Sequence, residues 1–190
     1  MPQTPEEDFL TFMAQVMSAA PQAKALGLEL VSMGDAEATL KVPYREDLVG
    51  DPDTGVIAGG VVTTLLDHTC GHAVFVALKA PIPIVTLDLR IDYMRPSEPG
   101  KDLFAHAHCY KLTRSVAFVR AQAYENDPAD PVATVQAAFM LNRDGGPKAG
   151  SNLPPERRAW RRTRPNYTAS WRASPTPSSS ACGPSWPATR

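Results

Sequence analysis

Cysteine is scarce in this chain of 190 residues: Cys70, Cys109 and Cys182 are the whole supply, at no spacing that suits a disulfide framework or a zinc knuckle. Long apolar runs are missing too. The best stretch, Ala73–Leu78, is followed by Lys79 and Pro81, far short of the roughly 20 residues a bilayer span requires. The opening MPQTPEEDFL carries acids where a signal peptide carries a basic region. These absences predict a cytoplasmic protein without a membrane partner. The most abrupt absence comes last: residues 145–190 hold a single Leu, Ile or Val, Leu153. Such a segment buries too little apolar surface to offset its ordering entropy, so 145–190 is expected to be a disordered tail and 1–144 the folding unit. Charge changes at the same place, from 11 Lys+Arg against 19 Asp+Glu up to Asp144 to 8 against one beyond it. The tail also takes 8 of the 19 prolines and all three tryptophans, a break that a reading-frame change near Asp144 would produce. An acidic folding unit argues against nucleic acid as the partner.

What is present is patterned. Thr4 and Glu7 form a capping box ahead of Phe9, Phe12, Met13, Val16 and Met17, which predicts a short amphipathic helix stopped by Pro21 and Gly27. Leu28–Met33 and Ala36–Val42 read as strands turning at Gly34-Asp35, and a turn-rich loop runs from Tyr44 to Gly55. Ala58–Leu78 is the longest helical pattern, with Val61, Val62, Leu65, Leu66, Thr69, Ala73, Val74 and Leu78 on one wide apolar face. The period then changes to two: Val85, Leu87, Leu89, Ile91 and Tyr93 alternate with Thr86, Asp88, Arg90 and Asp92. Leu103–Leu112 and Val116–Tyr124, joined by Thr113-Arg114-Ser115, and then Val132–Leu141 complete an α-β-β-α-β-β-β-β order. One long helix against a mostly antiparallel sheet is an α+β layout.

Three short matches yield to plainer readings. Asp53-Thr54-Gly55 spells an aspartic-protease triplet, but Asp51-Pro52 precedes it where an apolar strand is needed, so it reads as a turn. Gly50, Gly55, Gly59 and Gly60 lack the Gly-Lys-Ser/Thr ending of a phosphate loop. His68 and His72 share a helix face and His106 and His108 a strand face, yet no acid stands between the helical pair, and no metal is expected. The informative segment is Gly55-Val56-Ile57-Ala58-Gly59-Gly60 running into the long helix. Free N–H groups at a helix start are a donor set for a developing oxyanion, and two glycines let a substrate carbonyl approach the backbone closely. Asp67, seven residues past Gly60, falls on nearly the same face, among the small residues Thr63, Thr64 and Gly71.

GVIAGGVVTTLLDHTCGHAV followed by VTLDLRIDYMRP resembles the hotdog-fold acyl-CoA thioesterases, in the branch typified by the phenylacetate-pathway enzyme. The resemblance covers roughly residues 20–143. It implies one long helix wrapped by a curved antiparallel sheet, with subunits joined sheet edge to sheet edge. It also implies that the Gly59 amide polarises the thioester carbonyl and that Asp67 is the catalytic acid group, activating water or attacking the carbonyl itself. Thr86 matches a Ser/Thr that positions the water, and Arg114-Ser115 falls where family members contact the coenzyme A phosphates. The family usually reads His-Gly-Gly where this chain has Ala58-Gly59-Gly60, and an Asn or Gln where it has Pro52. The amide donor survives the alanine because the backbone supplies it.

The expectation is therefore an acyl-CoA thioesterase, a homodimer or dimer of dimers with its site at the subunit interface, needing no metal or other cofactor. A helix rises about 1.5 Å per residue, so Gly59 and Asp67 stand about 12 Å apart along one axis, and two antiparallel helices would bring them together. Two other classes stay open. One is a non-catalytic acyl-CoA-binding module, favoured by Ala58 and Pro52. The other is a hotdog dehydratase or hydratase using His68 or His72.

Overall fold

A computed structural model describes residues 20–80 and 82–142. The expected N-terminal helix over Phe9–Met17 and the tail beyond Asp144 lie outside the described residues. The first described element is a helix that the sequence reading took for a stop. Pro21 opens α1 (Pro21–Leu26), and Gly27 closes it at φ 70°. The Gly27 N–H reaches Lys24 O at 3.2 Å and the Leu28 N–H reaches Ala23 O at 2.9 Å, the paired bonds by which glycine ends helices. Proline at the first helical position lacks only an N–H that would be unpaired anyway.

Strands β1 (Glu29–Gly34) and β2 (Glu37–Val42) form a hairpin. Its two turn residues are Asp35 and Ala36, at φ 49° and 63°, so the turn sits one residue later than Gly34-Asp35. Both angles are those of a type I′ turn, which matches strand twist. The loop to residue 55 contains a short 3-10 turn (Glu46–Leu48) and β3 (Val49–Asp51), which pairs with β4 (Val56–Ile57). Asp51 organises that loop: its carboxylate accepts the Asp53 N–H at 3.1 Å and the Thr54 hydroxyl at 2.8 Å. Gly55 follows at φ 74°. The Asp-Thr-Gly triplet is therefore a turn, as expected.

Helix α2 (Gly59–Leu78) is the long one. Val62, Leu65, Leu66, Cys70, Ala73 and Val74 are buried against the sheet. Full burial of a side chain such as Leu65 stabilises by about 1.5–3 kcal/mol. By length and composition alone this helix is apolar enough to cross a membrane, a point that counting uninterrupted runs had passed over. Its burial within this chain makes it a core helix.

Four further strands, β5 (Ile84–Tyr93), β6 (Leu103–Leu112), β7 (Val116–Tyr124) and β8 (Ala133–Leu141), complete a curved antiparallel sheet in the order β1-β2-β6-β7-β8-β5. The helix lies mainly over β6, β2 and β7. Ala105, Ala107, Ala117, Ala121 and Ala123 face it, buried. Small side chains there let the backbone layers approach while larger helix residues fill the gap. This is the hotdog arrangement.

One irregularity in β5 matters for the site. Thr86 pairs with Phe139 and Asp88 with Ala138, so Leu87 is an extra, bulged residue. The strict alternation read from the sequence put Thr86 on one face with Asp88 and Arg90. The bulge resets the phase. Thr86 now shares the helix side with Leu89, Ile91 and Tyr93, whose partners Phe139, Ala137, Val135 and Ala133 are all buried.

Candidate active site

Ala58 fixes where the long helix begins. Its N–H donates to Leu48 O at 2.9 Å, and the preceding Ile57 N–H donates to the buried Ser97 hydroxyl at 3.1 Å. A Cβ at Gly50 would stand 2.8 Å from the Ala58 Cα, so glycine at position 50 is what lets this segment pack down. The Val61 and Val62 N–H groups both turn back to Ala58 O, at 2.9 and 3.3 Å. The amides of Gly59 and Gly60 have no acceptor among the described residues. Two adjacent donors are thus left open at an exposed helix start.

Neither glycine is required by packing among the described residues. A Cβ at Gly59 would meet only the Tyr93 phenol, at 3.4 Å, and one at Gly60 would meet nothing within 4 Å. The backbone of this first turn is therefore uncrowded by the described side chains, although glycine in a helix costs about 1 kcal/mol relative to alanine. Beside Gly59 lies a cavity of about 340 Å³ walled by Val56, Ile57, Val62, Tyr93, Met94, Pro96 and Val132. Arg95 and Ser97 also line it. Arg95 is held by Glu125, with Nη2 2.6 Å from Oε2, and the same carboxylate accepts the Glu98 N–H at 2.8 Å.

Asp67 sits two turns further along, half-buried. The Thr86 hydroxyl donates to its Oδ1 at 3.0 Å. Its Oδ2 has no partner among the described residues. A carboxylate with one oxygen oriented and the other open can accept a proton from water or attack an acyl carbon. Of the three small neighbours read from the sequence, Thr63 and Thr64 cap carbonyls of their own helix at 3.0 and 2.9 Å, and Gly71 is buried beside Ile84. The Gly59 cavity does not reach Asp67. One chain therefore presents the two chemical groups without converging them.

Arg114 and Ser115 form the exposed turn between β6 and β7. Thr113 closes it, donating to Val116 O at 2.7 Å and accepting the Val116 N–H at 2.9 Å. Thr86 pairs with Phe139, which pairs with Ala117. Arg114 thus lies two strands across and three residues along from Thr86, roughly 10 Å in each direction. It belongs to the Asp67 end of the sheet rather than the Gly59 end.

The other candidates are tied elsewhere. His72 is buried, its Nδ1 2.6 Å from His68 O, and burial lowers its pKa to about 4. His68 Nδ1 lies 3.2 Å from Thr64 O. Neither imidazole lines the Gly59 cavity. Cys70 and Cys109 are buried, and burial pushes both thiols up, away from nucleophilic thiolate. Sequence reasoning took Thr63 only as a small neighbour of Asp67 and gave Tyr93 no role, whereas their hydroxyls meet at Gly59. Thr63 stands at the i+4 position from Gly59, which was a readable signal; the reach of Tyr93 across the sheet was not.

The sequence profile of the thioesterase superfamily matches residues 54–132, the span from the turn before α2 to the start of β8. The chain belongs to that superfamily. A crystal structure of a Pseudomonas aeruginosa protein is similar at 42% identity and TM-score 0.64, covering 70% of this chain and 98% of that one. A mutant form of the phenylacetic acid degradation protein PaaI from Thermus thermophilus is similar at 28% identity and TM-score 0.55, covering 63% and 97%. Among curated relatives of this thioesterase-superfamily chain, the medium/long-chain acyl-CoA thioesterase YigI of Salmonella typhimurium is 26% identical over 134 residues, 64% of this chain and 85% of that protein.

Proposed function

We propose that this chain is an acyl-CoA thioesterase, hydrolysing an acyl-CoA thioester to the free acid and coenzyme A. The observation that carries the reading is the Thr86–Asp67 hydrogen bond. A strand bulge turns a hydroxyl out of phase to orient one carboxylate oxygen and leave the other free. Superfamily membership and a relative named as an acyl-CoA thioesterase support the substrate class. In this mechanism the Gly59 N–H stabilises the developing oxyanion. Asp67 either deprotonates a water that Thr86 helps position, so that the water oxygen attacks the carbonyl, or attacks it directly to form an anhydride that water then opens. The C–S bond breaks and coenzyme A leaves as a thiolate that takes up a proton.

The active unit in this reading is a homodimer, or a dimer of dimers, with each site shared between subunits. The 12 Å rise from Gly59 to Asp67 supports this, since two antiparallel copies of α2 would place the amide of one beside the carboxylate of the other. Arg114 and Ser115 would meet the coenzyme A phosphates at the Asp67 end. Cytoplasmic residence belongs to the same proposal.

The test is thiol release from a panel of short, long and aryl acyl-CoAs, with Asp67→Asn as the comparison. The substitution keeps size and most hydrogen bonding. Loss of a positioned general base lowers kcat by about 10²–10⁴-fold. Retention of more than about a tenth of wild-type kcat would reject Asp67 as base or nucleophile. The second reading, an acyl-CoA-binding module without turnover, is favoured by Ala58 and by Pro52, which is exposed in the Asp51 turn. Tight binding with no thiol release from any of the panel would select it.

A further inference from the structure

We propose that Tyr93 and Thr63 are positioning residues that orient and polarise the peptide unit joining Gly59 to Gly60, making the Gly60 N–H the second donor to the reacting carbonyl. The inference rests on the acyl-CoA reading above.

Three contacts form a triangle at the helix start. The Tyr93 hydroxyl donates to Gly59 O at 2.8 Å, the Thr63 hydroxyl reaches the same oxygen at 3.0 Å, and the two hydroxyls lie 2.9 Å apart. Each hydroxyl carries one proton, so at least one O–H points at Gly59 O in every arrangement that keeps the triangle bonded. Regular helix geometry already pairs that carbonyl with the Thr63 N–H. A peptide carbonyl that accepts several hydrogen bonds withdraws electron density from its own amide nitrogen. That nitrogen is Gly60's, not Gly59's. Gly60 N–H is one of the two amides left without an acceptor among the described residues.

Tyr93 ends β5 on its helix side, paired with Ala133, and the residue is 52% exposed in the single chain. It lines the cavity and reaches over Gly59 to a carbonyl the helix already satisfies. The cross-link ties the open edge strand to the helix start, which fixes the direction in which the two free amides point. Gly60 is exposed and has nothing within 4 Å of a notional Cβ, so no described side chain crowds the backbone beside this N–H.

Thiol release by the full chain tests this with Tyr93→Phe, which keeps the ring, and Thr63→Val, which keeps the shape. Each is expected to lower kcat about fivefold with KM within about twofold, because polarisation of a donor counts only where charge develops. The double variant falls by less than the product of the single losses, since both hydroxyls act on one oxygen. Gly60→Pro deletes an N–H that makes no helical bond and is expected to lower kcat by about 10²-fold, with circular dichroism checking the helix start because Gly59 before it is already helical. Melting temperatures near wild type separate these effects from damage to the fold. Unchanged kcat in both Tyr93→Phe and Thr63→Val, or a loss confined to KM, overturns the inference. So does a kcat loss accompanied by a matching fall in melting temperature. If Asp67→Asn abolishes turnover while Tyr93→Phe runs at full rate, this inference fails alone. If the wild type releases no thiol, the acyl-CoA reading fails and takes this one with it.

Discussion

Strands β5 and β6 are each ten residues long and carry similar apolar alternation, but the chain covers them very differently. In β6, Leu103, Ala105, Ala107 and Cys109 are all buried. In β5, Val85 and Leu87 stay 51% and 55% exposed. β6 has a strand on either side and the helix above it. β5 has β8 on one side and, among the described residues, an open edge on the other. Alternation in a sequence says that a strand face will be covered, not what covers it. An apolar edge strand left bare is a liability. The proposed occupant of that edge is a second copy of the chain.

Four variants sharpen the contrast. The largest effect belongs to the covered side: Leu66→Ala, at a fully buried site under the sheet, is expected to destabilise by about 2–5 kcal/mol in denaturant unfolding. A shift under about 1 kcal/mol would mean that the helix is not the core of the fold. On the open side, Leu87→Asp should leave the circular dichroism spectrum intact while sedimentation reports a halved mass and thiol release is lost. An unchanged mass would remove β5 from the subunit contact.

Acid acts next, again through the covered side. Burial holds the His72 pKa near 4, below the ordinary value of 6.5. The unfolded chain therefore takes up that proton first as pH falls, and stability declines from about pH 6.5 to about pH 4. His72→Phe should flatten this part of the profile. Glu125 adds a later loss: burial alone would raise its carboxyl, but Arg95 and the Glu98 N–H hold it below the usual range. Its contribution is present above the unfolded carboxylate pKa and disappears as pH falls through the lowered one. The smallest effect is at the exposed turn: Arg114→Ala should raise KM for acyl-CoA several-fold and spare kcat, with less change on a pantetheine thioester. Equal losses on both substrates would reject a phosphate contact.

Much of this was legible before any coordinates. The long helix, the four strands after it and their connections were readable within a residue or two, because each carries one sustained period. The hairpin turn slipped by one residue because Gly34-Asp35 looks more turn-like than Asp35-Ala36, and Ala36 accepts a positive φ that its type disfavours. The helix at Pro21–Leu26 was missed because Pro21 and Gly27, which start and cap it, were read as breakers. At the site, the glycines and Asp67 stood out by spacing, while the family resemblance alone pointed to Thr86. Period-two reasoning assigned Thr86 to the wrong face, and only the bulge at Leu87 explains why it reaches Asp67. A bulge is set by partner strands distant in sequence, so no local pattern announces it.

The central claim is that the Gly59 amide and the Asp67 carboxylate act together across two subunits. Gly59→Pro deletes the amide donor, and Gly59→Ala, which keeps the N–H, controls for the bulk added there. Position 59 opens the helix, and Ala58 already has φ −58° and ψ 134°, a conformation proper to the residue before proline. Gly59→Pro and Asp67→Asn are each expected to be inactive alone. When the two are mixed and reassembled at random, half of the dimers are mixed, and one of the two sites in each keeps both groups intact. The account predicts recovery of about a quarter of wild-type thiol release. No recovery above the parent variants, with mixed dimers demonstrated by mass, would contradict it.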